Sequence, residues 1–149
     1  MATIRTIGYE AAGFSTFLAT LRQAGVSLVI DIRDLPLSRR AGFSKKILAA
    51  SLAEAGIGYA HFRNLGTPKE GRLAARRGDY AGFWRIFEER LATPEAAFDL
   101  QRAAELAEAQ PSALLCFEAD PAKCHRRRVA ELLVERYGFA VEDLRVANF

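Results

Sequence analysis

The chain has 149 residues, 50% hydrophobic and 26% charged, with a formal net charge of +3 at pH 7, which predicts one globular domain over residues 1–149 and disfavours a second domain. The longest apolar runs fall well short of the roughly 18 residues of a membrane span, and the N-terminus lacks a signal-peptide pattern, so we expect no membrane partner and a cytoplasmic location. Because eighteen acidic residues offset the basic ones, the charge permits an anionic partner but does not by itself indicate nucleic-acid binding.

Apolar runs and helical patterns alternate through the first half of the chain. Residues 3–8 are predicted to form a strand, and the helical pattern that follows ends at Gly25. Residues 26–32 form an apolar run suited to a strand buried on both faces. Ser44 is predicted to cap a helix that precedes a third strand at residues 59–63. The inward face of that helix is predicted to carry Ile47, Leu48, Leu52 and Ala55.

The second half of the chain begins with a polar stretch, residues 66–77, that is long enough to form a lid. Two helices are predicted after it, at residues 80–91 and 94–109, and the second has a proline well placed in its first turn. A fourth strand is predicted at residues 113–118.

A last helix and strand complete the predicted fold. We expect Asp120 to cap the helix with Pro121 in its first helical position, and a final short strand at residues 144–147. Strands that alternate with helices favour parallel pairing with right-handed crossovers. The sequence therefore predicts an α/β protein: a three-layer sandwich with a mostly parallel sheet of four to five strands flanked by helices.

Polar side chains follow each predicted strand, at the edge where ligands bind in open α/β sheets. Asp31 and Arg33 point to the same face of the second strand, which suits a functional pair and a structural ion pair equally. Two carboxylates are candidate catalytic groups: Asp31 and Glu118. The candidate substrate-binding residues at this edge are Tyr9, Arg33, Arg63 and Asn64.

The last predicted helix can be phased on its apolar stripe, residues 129–133, at about 100° per residue. His125 and Arg126 then face inward and tilt back toward the cleft. Cys124 and Arg127 are expected to point outward from a regular helix. His125 is therefore the candidate general acid or base, and Arg126 a candidate anion-binding residue.

The two cysteines are predicted to be free thiols, because a chain of this size without a secretion signal does not depend on a disulfide. Cys116, within an apolar strand, fits a small buried residue better than a nucleophile. Cys124 fits a bystander and a reactive thiol about equally. The start of the helix favours a bound anion, which can be a phosphate, a carboxylate or the Cys124 thiolate itself.

Four segments carry a resemblance to a known family: residues 6–9, 31–39, 59–66 and 115–126. In these segments the chain resembles the DUF488 family, a group of small α/β proteins without an assigned function, and the likeness spans nearly the whole chain. The resemblance implies one compact α/β domain and a single site built from these motifs, and it supplies no reaction. Glu10 stands where the family usually has a serine, so no hydroxyl role is expected at that position.

Our leading hypothesis is an enzyme that acts on a small anionic or phosphate-bearing, nucleotide-like substrate, with no particular cofactor indicated. In it, Arg33 and Arg126 bind the anion and His125 transfers protons. Cys124 is the nucleophile or redox thiol, and Cys116 is the second candidate for that role.

Two alternatives remain. The first is a non-catalytic nucleic-acid-binding module that uses the basic loops 39–46 and 69–77, with Tyr9 or Trp84 stacking on bases.

The second alternative is a metal-dependent enzyme, with Cys116, Cys124 and His125 as ligands alongside Glu118 or Asp31. It ranks below a metal-free site, because the cysteine spacing is not that of zinc ribbons and adjacent helical residues diverge.

Overall fold

A parallel sheet of five strands forms the centre of the protein, whose computed structural model describes residues 2–120 and 124–146. The strand order is β3-β2-β4-β1-β5, and all of the pairings are parallel. The strands are β1 (Thr3–Gly8), β2 (Leu28–Asp31), β3 (Gly58–His61), β4 (Ser112–Cys116) and β5 (Ala140–Asp143). The predicted α/β class and parallel sheet are confirmed.

Six α-helices connect the strands within the described residues. They are α1 (Phe14–Gln23), α2 (Lys45–Glu54), α3 (Lys69–Arg76), α4 (Tyr80–Leu91), α5 (Pro94–Ala109) and α6 (His125–Tyr137), with a short 3₁₀ turn at Arg63–Leu65. Side-chain oxygens cap the starts of two of them: the Asp79 carboxylate accepts from the Gly82 N–H, and the Thr93 hydroxyl accepts from the Ala96 N–H. None of the described helices is long and apolar enough to cross a bilayer.

The sheet buries both of its faces, as expected for successive side chains that alternate along a strand. On one face Ile4, Ile30 and Leu114 pack with apolar residues of α4, α5 and α6. On the other face Ile7 and Leu115 pack with residues of α1 and α2. The two cores give the predicted three-layer sandwich.

The carboxyl end of β4 lies at a change in the direction of the crossovers. The helices that follow β1 and β2 pack on one face of the sheet, whereas α5 and α6, before and after β4, pack on the other. Because β4 lies between β1 and β2, the chain leaves neighbouring strands toward opposite faces there. In open α/β sheets this is where a cleft forms.

The stretch predicted as a lid is instead occupied by α3. The residues that it buries are small, Gly71 and Ala74, and its packing against α4 depends on Gly71, where an added Cβ would lie 3.4 Å from Ile86 and 2.6 Å from Thr67. Close tertiary packing therefore stabilises a helix that lacks large buried apolar residues.

Three other predictions differ from the structure. Ile47 is 59% exposed rather than inward. Ser44 is the N-cap residue of α2, as predicted, but its hydroxyl makes no capping hydrogen bond, because it is hydrogen-bonded to the backbone of Ser38. The last strand lies at Ala140–Asp143, four residues earlier than predicted, and residue 147 of the predicted strand is outside the described residues.

Gly8 offers a test of the contact between β1 and the chain after β4. A Cβ at Gly8 would lie 1.8 Å from the Glu118 carbonyl oxygen, so Gly8→Ala is expected to lower the free energy of unfolding by at least about 2 kcal/mol. Urea denaturation measures this. Gly13→Ala is the matched control, because its Cβ would meet only Thr16 at 3.9 Å, and we expect a change within about 1 kcal/mol. Equal effects of the two substitutions would contradict the described contact.

Candidate functional site

The two cysteines form a disulfide, so the prediction of free thiols is wrong for this structure. Cys116 ends β4, and Cys124 immediately precedes α6. Both are buried, at 0% and 1% exposure. The sequence suggested that a pair eight residues apart could bond, but it did not show that the end of β4 and the start of α6 bring the two sulfurs together.

Cys124 points inward because α6 begins later than predicted. The helix starts at His125, and Cys124 is its N-cap with extended backbone, so helical phasing does not apply to it. Its sulfur accepts a hydrogen bond from the Arg126 N–H at 3.4 Å. Asp120 is therefore not the cap, and the predicted first helical residue, Pro121, lies outside the described residues.

His125 faces inward, as predicted, and its two ring nitrogens have different surroundings. Nε2 lies 2.9 Å from the Ile32 carbonyl oxygen, which can only accept a hydrogen bond, so Nε2 carries the proton. Nδ1 is then an acceptor, 3.7 Å from the Cys124 sulfur. Burial lowers the pKa of His125 to about 4. The imidazole is therefore neutral at pH 7, and its basic nitrogen faces a sulfur.

Arg126 also faces inward, but its guanidinium is bound by the protein itself. The side chain is fully buried, and Nη1 donates to the Cys116 sulfur at 2.9 Å and to the Glu118 carbonyl. Nη2 donates to the Ala119 carbonyl at 3.2 Å, while Nε has no partner among the described residues. Arg126 thus fixes the turn after β4 and places a positive charge beside the disulfide.

Glu118 lies on the same turn. Its side chain is near the sulfur of Cys116, whereas the His125 ring is near the sulfur of Cys124. One of its carboxylate oxygens is 3.6 Å from the Cys116 sulfur, and burial raises the pKa of Glu118. The turn is attached to the start of the chain, since the Phe117 carbonyl accepts from the Tyr9 and Glu10 N–H groups. The Glu10 carboxylate in turn accepts from the Ala119 N–H at 3.1 Å, a role that a shorter serine would not fill in the same way.

Asp31 and Arg33 form a buried ion pair, as their positions on one face of β2 predicted. Arg33 Nε and Nη2 donate to the two Asp31 oxygens at 2.9 and 2.7 Å, and the Tyr59 hydroxyl also donates to Asp31. Burial alone would lower the pKa of Arg33, but its bonds to Asp31 outweigh this and raise it. Since the Arg33 N–H is a fourth donor to the carboxylate, Asp31 has no free acceptor position, which favours structural support over proton transfer.

Tyr9 belongs to this buried network. Its hydroxyl accepts from Arg33 Nη1 at 3.1 Å, and its ring is stacked on Phe43 with centroids 4.5 Å apart. Tyr9 is only 3% exposed, so the expectation that it is free to stack on a base is wrong. Arg33 Nη1 also donates to the Phe43 carbonyl, so each nitrogen of this guanidinium is bonded to an acceptor of the protein.

A further group that the sequence did not indicate is centred on Asp34, just after β2. Arg63, Arg72 and Arg90 each donate to its carboxylate, at 3.1, 2.7 and 2.7 Å. Burial alone would raise the pKa of Asp34, but the hydrogen bonds from Arg72, Arg90 and Arg63 lower it to about 2. Asn64, predicted beside Arg63, contributes its backbone N–H to Asp99.

The predicted site residues therefore fall into three groups. The structure brings Cys116, Glu118, Cys124, His125 and Arg126 together at the end of β4. Tyr9, Asp31 and Arg33 form a buried network beneath that edge of the sheet. Arg63 lies with Asp34, and no pattern in the sequence links them, because the three arginines come from separate elements.

A metal is compatible with only part of the predicted ligand set. Among the described residues, Cys116, Glu118 and Cys124 have ligand atoms within 4.8 Å of one another. His125 and Asp31 do not join this group.

A family model described as "Domain of unknown function DUF488" matches residues 14–133 of the chain. The match includes β2 to β4 and most of α6, and thus all three groups of residues except Tyr9. No curated protein and no solved structure matches the chain significantly.

The neutral state of His125 predicts a pH dependence of stability. An unfolded histidine titrates near pH 6.5 whereas His125 titrates near 4, so the unfolded chain binds the proton first as pH falls. We expect the free energy of unfolding to fall by about 1–3 kcal/mol between pH 6.5 and 4. The measurement is urea denaturation across this range. His125→Gln retains a donor for the Ile32 carbonyl but cannot titrate, so this variant should lose less stability over the same pH range. His61 is present in both proteins and does not affect the comparison. Parallel pH profiles of the two proteins would contradict a buried neutral His125.

Proposed function

The chain belongs to the DUF488 family of domains of unknown function, and we propose that it is an enzyme whose Cys116–Cys124 pair carries out thiol–disulfide exchange. One observation carries the proposal. The two cysteines are bonded to each other, with the His125 Nδ1 acceptor beside the sulfur of Cys124 and the Arg126 guanidinium beside that of Cys116. A disulfide that serves only as a cross-link needs neither group.

Cys124 is the sulfur that attacks in this proposal. It lies at the start of α6, where the helix dipole and the Arg126 N–H stabilise a thiolate. His125 Nδ1 is placed to take the thiol proton. A thiolate at Cys124 would in turn stabilise the imidazolium, so the pKa of His125 is expected to be higher in the reduced protein than in the disulfide form.

Cys116 is the resolving and leaving thiol. Its sulfur accepts from the Arg126 guanidinium at 2.9 Å, and this buried positive charge favours the thiolate. The Glu118 carboxyl group, 3.6 Å away and with its pKa raised by burial, is the nearest candidate to return a proton to that sulfur. A thiol with a stabilised thiolate is also the better leaving group in exchange.

The proposed reaction conserves electrons. The Cys124 thiolate attacks one sulfur of a substrate disulfide, forms a mixed disulfide and releases the first substrate thiolate, which takes the proton from His125. The Cys116 thiolate then attacks the Cys124 sulfur, closes the Cys116–Cys124 bond and releases the second substrate thiolate, which takes a proton from solvent. The substrate gains two electrons and the cysteine pair loses two, and two equivalents of a thiol reductant restore the pair.

Access to the buried sulfurs requires the turn after β4 to move. The turn is fastened by hydrogen bonds rather than by apolar packing alone, from Arg126 to Glu118 and Ala119 and from Ala119 to Glu10. Phe117, the first residue of the turn, is exposed. We propose that displacement of this turn admits the substrate. The cytoplasmic location expected from the sequence fits the proposal, because disulfides in a reducing compartment are usually catalytic or redox-sensing.

The sequence hypothesis of an anionic substrate needs different residues from those first named. Arg33 and Arg126 are both buried and bound by acceptors of the protein, so neither presents a free guanidinium to an anion. The nucleic-acid alternative loses Tyr9 as a stacking residue, and Trp84 packs against Phe83 and Phe87. Neither observation supports a nucleic-acid-binding surface.

Thiol reactivity of the reduced protein tests the proposal. Reduced wild type should react with dithiodipyridine at pH 7 at least about tenfold faster than glutathione does, release two equivalents of thiopyridone and end with the Cys116–Cys124 bond restored. Cys116→Ser should release one equivalent and retain a mixed disulfide on Cys124, detectable by mass spectrometry. Cys124→Ser should react more slowly, because its remaining thiol is the resolving one.

Titration of the same proteins in denaturant gives the total thiol and serves as the control. Rates for wild type and both variants that match glutathione would contradict the proposal and leave the disulfide as a cross-link. Faster reaction of Cys124→Ser than of Cys116→Ser would exchange the two assigned roles.

A metal-dependent activity is the second candidate, favoured by the close grouping of the Cys116, Glu118 and Cys124 ligand atoms. It requires the reduced state, because only thiolates bind the metal. The buried Arg126 guanidinium, 2.9 Å from the Cys116 sulfur, would repel a divalent cation placed there. Charge therefore favours the metal-free proposal.

Metal analysis separates these two candidates. Protein purified under reducing conditions without an affinity metal is expected to hold less than about 0.1 equivalent of zinc after dialysis, because of this repulsion. The same protein incubated with zinc and then dialysed controls for metal lost during purification. Retention of about one equivalent, lost in Cys116→Ser, would favour the metal-dependent alternative over thiol exchange.

A further inference from the structure

The arginine cluster, defined as Asp34 with Arg63, Arg72 and Arg90, holds more positive charge than its own carboxylate neutralises. Three guanidinium groups contact one carboxylate, which leaves two positive charges in excess. Asp99 lies nearby and accepts from the Asn64 N–H, and no ion pair between it and these arginines is found among the described residues. The excess charge favours binding of an anion.

The exposure of the cluster differs from that of the arginines beneath the sheet edge. The Asp34 side chain is 11% exposed, whereas those of Arg72 and Arg63 are 32% and 68% exposed. Each of the three arginines uses Nε or Nη1 for its described hydrogen bonds, so the Nη2 groups have no partner in the described part of the chain. Charged donors of Arg63 and Arg72 are thus available at the surface around a carboxylate that is itself mostly covered.

Backbone packing fixes the cluster in place. Arg90 Nη1 also donates to the Gly66 carbonyl at 2.9 Å, and Arg72 Nη1 to the Thr67 carbonyl at 2.8 Å. Gly66 lies so close to β2 that a Cβ there would be 2.3 Å from the Asp34 nitrogen. Beside it, the Thr67 hydroxyl is buried and has no partner among the described residues, an additional polar group of the kind that oxyanion sites use.

The segment from Ile32 to Asp34 connects the cluster to the cysteine pair. His125 donates to the Ile32 carbonyl, and Asp34 follows two residues later. The positive charge of Arg72 is among the influences that lower the pKa of His125, after burial. The cluster and the thiol site therefore lie at the same edge of the sheet.

From this geometry we infer that Arg63, Arg72 and Arg90 around Asp34 form a binding site for a phosphate-type oxyanion. If the site serves the proposed thiol chemistry, the substrate is a disulfide or thiol that carries such a group, and this part of the inference rests on the proposed function. The presence of the anion site does not depend on the proposed function. Asp34 holds the arginines together in the absence of ligand, and the anion occupies their outward donors.

Binding of inorganic phosphate tests the site directly. Isothermal titration of oxidised wild type at low salt should show saturable binding at one equivalent, and Arg63→Gln and Arg72→Gln should each weaken it about tenfold or more. Arg63 is mostly exposed, so that variant is expected to fold. Arg85→Gln is the matched control, because Arg85 is similarly exposed and, in the described part of the chain, its ion pair is with Glu89 on α4. Absence of saturable binding, or equal affinity in all variants, would overturn the inference.

A second variant separates a ligand site from a purely structural ion cluster. Asp34→Asn removes the internal anion, so it should bind phosphate more tightly than wild type, and phosphate should raise its melting temperature more. If phosphate leaves the melting temperature of folded Asp34→Asn unchanged, the cluster is structural and the inference fails.

Exchange rates distinguish failure of this inference from failure of the proposed function. Reduced wild type should react faster with dianionic dithiobisnitrobenzoate than Arg63→Gln does, while the two react equally with neutral dithiodipyridine. Slow reaction with both reagents alongside phosphate binding would refute the thiol chemistry and retain the anion site. Fast reaction with both, without phosphate binding, would refute the anion site and retain the thiol chemistry.

Discussion

The buried guanidinium of Arg126 is the interaction on which the site depends. A charge this deep needs acceptors in several directions, and it finds them in two backbone carbonyls and the Cys116 sulfur. Those acceptors lie at the end of β4 and in the first residues after it, so satisfying the charge determines how the chain leaves the strand. Glu118 is thereby placed beside the Cys116 sulfur, while Cys124 caps the helix that carries Arg126. The burial of one cation thus arranges the groups that surround the cysteine pair.

The fold could be predicted where local signals are strong. The bounds of α4 and α5 match the prediction, in which Pro94 marked the start of α5; the structure adds that Asp79 and Thr93 cap the two helices. The helix α3 was not predicted, because half of its residues are charged and its stability comes from packing of Gly71 and from Arg72 binding Asp34. Such stabilisation depends on distant parts of the chain, which periodicity does not report.

The site was predictable in location but not in detail. The order of strands and helices placed polar residues at one edge of the sheet, and the apolar stripe of α6 oriented His125 and Arg126 correctly. The direction of Cys124 depended on where the helix begins, which differs by four residues from the prediction. The roles of the arginines depended on burial. Arg33 and Arg126 resemble free anion-binding groups in the sequence, yet both are buried and hydrogen-bonded to acceptors of the protein. The exposed donors are those of the arginines around Asp34.

The disulfide joins the two ends of the turn that Arg126 organises, and it closes a loop with a sequence separation of eight. Closing a loop of this length restricts the unfolded chain by about 2–3 kcal/mol in the chain-entropy description. Thermodynamic linkage makes this reciprocal: the amount by which the bond favours the folded state equals the amount by which folding favours the bond. Folding and cysteine oxidation are thus one coupled equilibrium. The redox potential of the surroundings therefore affects the free energy of unfolding of the protein.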